Sequence, residues 1–235
     1  MYAHSHLSRI LSTGPNRALF YMHNTILGPG AMSLNQYLES HGFSNPTDHH
    51  NTPFQYGHKT TLDLWAYLQE KPARSKIFNE HMRSSAIVGS SALPPFPFST
   101  ELKCDSDEEV LLVDIGGGKG QALQSILNAY PNMKGRMIVQ DLREVIQDAE
   151  SSAHLPPSIE TMASDFFKPQ PVKGAKAYFM RRIMHDWGDK ECKLILENII
   201  SSMTEDSKLL INDLVLPQEG CHRRMALNDI AMMIL

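Results

Sequence analysis

Cysteine is scarce and unpaired in this sequence: Cys104, Cys192 and Cys221 are odd in number, widely spaced and free of any CxxC arrangement. That count excludes a disulfide framework and a thiolate zinc site, and it fits a reducing cytoplasm. Long hydrophobic runs are missing too. No stretch approaches the roughly 18 apolar residues of a membrane span. The opening segment, Met1 to Arg9, carries polar His and Ser where a secretory leader needs an apolar core. Charge of one sign is nowhere concentrated: 22 Lys+Arg stand against 26 Asp+Glu, a net charge of -4 over 235 residues. This balance offers nothing to a phosphate backbone or an anionic bilayer, so neither nucleic acid nor membrane is an expected partner. With 42% hydrophobic and 20% charged residues, what remains is an ordinary globular composition. A soluble, cytoplasmic chain is expected, with one large α/β domain and a smaller helical piece.

The texture changes near Pro94 to Phe98, Pro-Pro-Phe-Pro-Phe, which places a boundary between a helical region at 1–98 and a second domain at 99–235. In the first part, Arg17 to Leu27, Ala31 to His41, Thr61 to Gln69 and Ala73 to Val88 show apolar residues at three and four spacing. Gly28-Pro29-Gly30, Asn45-Pro46 and Lys71-Pro72 read as the breaks between those helices. In the second part, strands are predicted at Val110 to Ile115, Arg136 to Gln140, Ile159 to Ala163, Ala177 to Met180 and Lys208 to Leu216. Helices are predicted at Gly120 to Tyr130, Leu142 to Ser151 and Lys190 to Met203, and a last one starts near Met225. Alternation of this kind predicts a doubly wound α/β sheet, with the fifth strand left at its edge.

Chemistry concentrates where these strands end. Val110-Leu-Leu-Val-Asp-Ile-Gly-Gly-Gly-Lys-Gly-Gln121 is a buried strand running into a glycine loop and then a helix. Glycine lets backbone approach a ligand closely. The dinucleotide fingerprint needs Gly or Ala where Gln121 stands, and a P-loop needs Ser or Thr where Gly120 stands, so both of those readings fail. What is left is Asp114-x-Gly116-x-Gly118-x-Gly120. Asp141, at the end of the second strand, suits either the two hydroxyls of a ribose or a helix N-cap. Asp165-Phe166 closes the third strand and suits an adenine amino group and ring face, or equally a turn beside a core ring.

His185, in Arg181-Arg-Ile-Met-His-Asp-Trp187, follows the fourth strand at the sheet's carboxyl edge, where open α/β folds bind ligands. An imidazole there can take the proton of a phenol as its oxygen attacks a sulfonium methyl, with no metal required. Asp213, late in the fifth strand, can orient that ring and stabilise its charged form; a strand-end turn is the plainer reading. Trp187 and the methionines Met82, Met232 and Met233 suit a flat aromatic substrate or simply fill core.

Taken together, the glycine loop, Gln140-Asp141-Leu142, Asp165-Phe166-Phe167, His185-Asp186-Trp187 and Ile211 to Pro217 resemble the plant and fungal small-molecule O-methyltransferases of the caffeic-acid type, in a fungal flavour. Asn51 to His58 and Ile77 to Met82 are similar to that family as well. The resemblance implies a Rossmann-like, class I methyltransferase sheet preceded by substrate-covering helices. It also implies S-adenosylmethionine as cofactor, held by Asp114, Gly116, Gly118, Asp141, Leu142, Asp165, Phe166 and Arg181, the last where plant members have a lysine. By the same mapping His185 is the general base, Asp213 one of two acids that orient it, and Met82, Trp187 and Met232 are substrate contacts. The substrate is then a hydroxylated aromatic metabolite of phenolic or polyketide type, and no residue is assigned to a metal. Family members form homodimers through a winged-helix region and end in two further strands with the second acid. Neither is found in this sequence, which therefore reads as truncated at both ends. The alternative reading is a relative that binds the cofactor or a partner chain without transferring a methyl group.

Overall fold

The computed structural model describes residues 3–12, 14–89, 95–151 and 155–235. Pro94, at one end of the boundary segment, lies outside them. The chain forms two compact units, 1–85 with 215–235, and 86–214. The last helix thus joins the first unit, whereas the boundary read from the sequence places it in the domain at 99–235.

The first unit is helical: α1 (His6–Ser12), α2 (Gly14–Met22), a π-helical turn (His23–Leu27), α3 (Gly28–Ser40), α4 (Pro53–His58), α5 (Leu64–Gln69), most of α6 (Pro72–Gly89) and, from the far end of the chain, α11 (Arg223–Ile234). Its core gathers Met22, Ile26, Leu27, Phe54, Leu64, Tyr67, Leu68, Phe78 and Ile234. Lys71-Pro72 does mark a start, since proline at the head of α6 forfeits only a donor that has no intrahelical partner there. Gly28-Pro29-Gly30 is not a break. The chain stays helical from Gly14 to Ser40, and the wider π turn absorbs the proline, whose ring lacks an N–H.

The glycines serve packing instead. A Cβ on Gly57 of α4 would lie 2.2 Å from the Pro29 carbonyl oxygen, and one on Gly30 would lie 2.6 Å from Ile234 Cγ2. α3 and α4 touch backbone to backbone. Gly57→Ala is therefore expected to destabilise the first unit by about 1 to 3 kcal/mol, because rigid main chain and not a movable side chain meets the added methyl. Thermal unfolding followed by circular dichroism checks this. α4 itself begins on a capping box: the Thr52 hydroxyl accepts from the Phe54 amide, while Gln55 Oε1 accepts from the Thr52 amide at 2.8 Å.

The second unit is a parallel five-stranded sheet in the order β3-β2-β1-β4-β5, with β1 Val110–Ile115, β2 Arg136–Asp141, β3 Ile159–Ala163, β4 Ala177–Arg181 and β5 Lys208–Asn212. α7 (Phe98–Glu101), α8 (Gln121–Ala129), α9 (Arg143–Ser151) and α10 (Asp189–Ile200) accompany it. Alternating strand residues feed two cores. Leu112, Met137, Val139 and Phe179 pack with Leu123 and Ile126 of α8 and Ile146 of α9, whereas Val113, Ile138, Tyr178 and Met180 pack with Ile195 and Ile199 of α10. Both faces of the sheet are therefore covered, as a parallel sheet requires. β5 lies at the edge as expected, but it stops at Asn212 instead of reaching Leu216. Among the described residues its one ladder partner, β4, ends at Arg181, which pairs with Asn212, and the apolar run Leu214 to Leu216 leaves the sheet. Among the described residues no helix is long and apolar enough to cross a membrane.

Candidate functional site

Because every strand runs the same way, the loops after β1, β2, β3, β4 and β5 open on one edge of the sheet. Strand order reverses between β1 and β4, which opens a crevice between the loops that follow them. The loop after β1 is built on left-handed glycines: φ is +67° at Gly116, +60° at Gly118 and +75° at Gly120, values that side-chain-bearing residues rarely adopt. Space excludes side chains as well. A Cβ on Gly116 would lie 2.5 Å from Ile183 Cδ1, and one on Gly117 would lie 2.5 Å from Asp114 Oδ2. Lys119, in the same loop, pairs with Asp148 of α9 at 2.5 Å and is thereby tied to the helix.

Asp114, next to last in β1, is almost wholly buried, and neither of its carboxylate oxygens has a hydrogen-bond partner among the described residues. Burial, then the nearby Asp141 carboxylate, push its pKa up to about 7, against a smaller pull from the Arg181 guanidinium. Burying a carboxyl without a hydrogen-bond partner is costly. Asp141 closes over the loop: Oδ2 accepts from the Gly118 amide at 2.8 Å and Oδ1 from the Leu142 amide at 2.8 Å. Burial raises its pKa and these amides partly offset that. The N-cap reading of Asp141 gives way to a loop clasp, since α9 begins only at Arg143. Leu142 presents an exposed apolar side chain beside it.

Asp165 makes the turn foreseen as its plainer reading, its Oδ1 accepting from the Phe167 amide at 2.9 Å. Phe166, Phe167 and Trp187 form an aromatic cluster with edge-on contacts, the centroids of Phe167 and Trp187 being 4.7 Å apart. Phe166 reaches the glycine loop, its ring 3.7 Å from where a Gly116 Cβ would stand. Trp187 thus braces the ring that borders the loop.

After β4 the backbone turns through Arg182, a non-glycine residue at φ +57°, into a 3-10 turn, Met184–Asp186. Strain of this kind gathers at sites held by their surroundings. The turn delivers His185, whose Nδ1 lies 2.5 Å from Asp213 Oδ1. Asp213 itself stands just beyond β5, not within it. Nε2 of His185 lies 3.4 Å from Asp186 Oδ1. Burial lowers the imidazole pKa, but the Asp213 hydrogen bond and the charges of Asp186 and Asp213 outweigh it, and the net shift is upward. Burial would raise Asp213, yet the bond to His185 brings it below the usual carboxylate range. Asp186, partly buried, is pushed up to about 6 mainly by desolvation, against the pull of His185 and with a further push from Asp213. The sequence reading left Asp186 unassigned. Its position next to His185 was the available signal.

The second unit thus brings together Asp114, the glycines, Asp141, Leu142, Asp165, Phe166, Arg181, His185, Trp187 and Asp213. Met82 on α6 and Met232 on α11 belong to the first unit. The second-unit residues fit an adenosyl cofactor on two observations, the bare buried carboxyl of Asp114 and the glycine cradle that a Cβ would fill.

Comparison with known proteins gives a family and a fold. Residues 42–235 match the model of an O-methyltransferase domain. An O-methyltransferase of Pestalotiopsis microspora is 37% identical over 234 residues, covering 100% of this chain and 58% of the relative. The demethylsterigmatocystin 6-O-methyltransferase of Aspergillus flavus is 34% identical over 209 residues, covering 88% of this chain and 53% of the relative. Among solved structures, LepI in complex with SAM superposes with TM-score 0.86 at 33% identity, over 98% of this chain and 59% of that one. A structure at the same identity and TM-score is described as a pericyclic reaction enzyme. OxaC in complex with SAH and oxaline gives 0.87 at 29% identity, over 99% of this chain and 59% of that one. The chain thus spans between half and three fifths of the length of these relatives.

Proposed function

The chain belongs to the O-methyltransferase family, and from that premise we propose that it serves S-adenosylmethionine-dependent methylation of a hydroxyl on a small aromatic metabolite of phenolic or polyketide type, with His185 as general base. The observation that carries the reading is the His185 to Asp213 pair, 2.5 Å apart on the same sheet edge as the glycine loop.

When bound, the cofactor supplies an electrophilic methyl group on a sulfonium centre. With the cofactor bound, the main chain of Gly116 to Gly118 would line it, Asp114 would meet its positive charge, Asp141 would accept from the ribose hydroxyls, and Leu142 and Phe166 would offer apolar surface to the adenine. Arg181, half-buried at the end of β4, sets the field around Asp114. His185 holds its Nδ1 proton toward Asp213 and so keeps Nε2 as the acceptor for the phenolic proton. Asp213 stabilises the imidazolium that results. Trp187 shapes the aromatic wall, and Met82 and Met232 are proposed substrate contacts. No residue of this scheme ligates a metal.

Calorimetry on the 235-residue chain tests the cofactor half of the reading. Asp141→Ala and Gly118→Val are each expected to weaken S-adenosylmethionine binding by more than about tenfold in folded protein, since one removes the ribose acceptor and the other forces a β-branched residue to positive φ. NAD is expected not to displace the cofactor at comparable concentration, because Gln121 breaks the dinucleotide fingerprint. Unchanged affinity in both variants places the cofactor elsewhere. Binding alone does not establish transfer, given a structural relative described as a pericyclic reaction enzyme. Single-turnover assays with labelled donor and a panel of phenols decide that half, and binding without transfer favours the non-catalytic alternative.

A further inference from the structure

The cysteine count ruled out a thiolate zinc site but left the histidines open, and one pair of them is placed as metal ligands are. His49 and His50 lie in the loop between α3 and α4, and Asp63 is the N-cap of α5. One ligand atom from each of the three lies within 4.8 Å of the others. We propose that His49, His50 and Asp63 form a binding site for a divalent transition-metal ion of the zinc, cobalt or nickel class.

The geometry is close to a coordination shell without being closed. The two imidazole centroids are 4.0 Å apart. Nδ1 of His50 stands 3.7 Å from Asp63 Oδ2, beyond hydrogen-bond reach. A tetrahedral ion with bonds of about 2.0 to 2.1 Å holds its ligand atoms about 3.3 to 3.4 Å apart, so the three donors must draw together from within 4.8 Å to close the shell.

The supports are already fixed. Asp63 Oδ1 accepts from the Ala66 amide at 2.8 Å, which leaves Oδ2 toward the histidines. The His49 carbonyl accepts from Gln55 Nε2 at 2.8 Å, and Gln55 is itself locked in the capping box of α4. The His50 amide donates to Asp48 Oδ1 at 2.9 Å, which adds an anionic group beside the pair.

Two imidazoles and one carboxylate are a borderline donor set that suits zinc, cobalt and nickel and is too poor in hard oxygen for magnesium or calcium. His50 is half-exposed, so water can complete the shell. A bound ion would tie the loop before α4 to the first turn of α5. These residues belong to the first unit, whereas the proposed base, its partner acid and the cofactor-binding residues belong to the second, so the proposal does not rest on that assignment.

The test is calorimetric titration of the tag-free chain with Zn²⁺, with the visible absorption of added Co²⁺ as a second reading. One equivalent is expected to bind, magnesium is expected not to compete, and thermal unfolding is expected to shift upward. His49→Ala, His50→Ala and Asp63→Asn are each expected to weaken binding by more than about tenfold. Asparagine at 63 keeps a capping oxygen, so α5 retains its start and circular dichroism should be unchanged. Affinity weaker than about 1 mM overturns the proposal. So does binding that all three folded variants retain, which would assign the ion to other histidines or to the cysteines.

Discussion

His185→Ala is expected to lower methyl transfer to a phenolic acceptor by about 10² to 10⁴-fold, the usual contribution of a positioned general base. Affinity for S-adenosylmethionine should stay nearly intact, because His185 is assigned to the acceptor hydroxyl. The imidazole must be neutral to take a proton, and its pKa is raised above 6.5. The rate is therefore expected to climb with pH along a limb lying above pH 6.5.

Asp213→Asn separates positioning from chemistry. Asparagine can still accept the Nδ1 proton but brings no charge, so the limb should move to lower pH while the plateau rate falls less than in His185→Ala. Single-turnover rates against pH, with cofactor affinity measured in parallel, check both statements. Full activity in His185→Ala removes the proposed base. An unmoved limb in Asp213→Asn shows that the titrating group is some other residue.

Asp114→Asn is expected to have two effects of opposite sign. The folded chain holds this carboxyl at about 7 against an ordinary 3.8, with burial as the main cause. Between those values the native state keeps a proton that the unfolded chain has released. Stability from this group is thus fully present below about pH 4 and is lost as pH rises through about 7. Removing the ionisable oxygen should therefore stabilise the protein at pH 8, by up to roughly 4 kcal/mol before the unpaired amide is counted. The gain should shrink toward pH 4. Cofactor affinity should move the other way, because the variant loses the anion that meets the ligand's positive charge. In the native chain that affinity should strengthen from pH 6 to pH 8 as Asp114 ionises, and in Asp114→Asn the rise should vanish. Thermal unfolding and calorimetry across this range check both effects. A variant equally stable at pH 5 and pH 8 relative to the native chain would show that Asp114 is not the strained group.

The two predictions rest on different kinds of packing. The role proposed for His185 rests on a partner charge, Asp213, that stands one residue past the neighbouring strand β5, where the two ladders end side by side at Arg181 and Asn212. Asp114 is held in an unfavourable place because burial and a second carboxylate outweigh the pull of the Arg181 guanidinium, and nothing among the described residues donates a hydrogen bond to it. A site that leaves one acid unsatisfied costs stability in the empty state and recovers it on binding.

Local pattern was enough for what depends on local chemistry. The apolar run Val110 to Ile115 determined β1 to the residue, because a strand buried on both faces has no alternation to blur its ends. Four glycines after an acid determined a loop that main chain alone could line, and that loop is built on positive φ. His185 was placed after the fourth strand by the sequence, whereas Asp213, read as late in the fifth, stands just past its end. Only the tertiary structure decided the rest. Leu214 to Leu216 reads as strand, but a strand needs a ladder, and β4 ends too early to provide one. Gly28-Pro29-Gly30 reads as a break, but the close approach of α4 and Ile234 gives Gly30 its purpose, and neither is adjacent in sequence. The bareness of Asp114, the carboxylate of Asp186 beside His185 and the meeting of His49, His50 and Asp63 are all distances between side chains. Periodicity carries no information about such distances, because they are set by how elements pack and not by the order in which their residues occur.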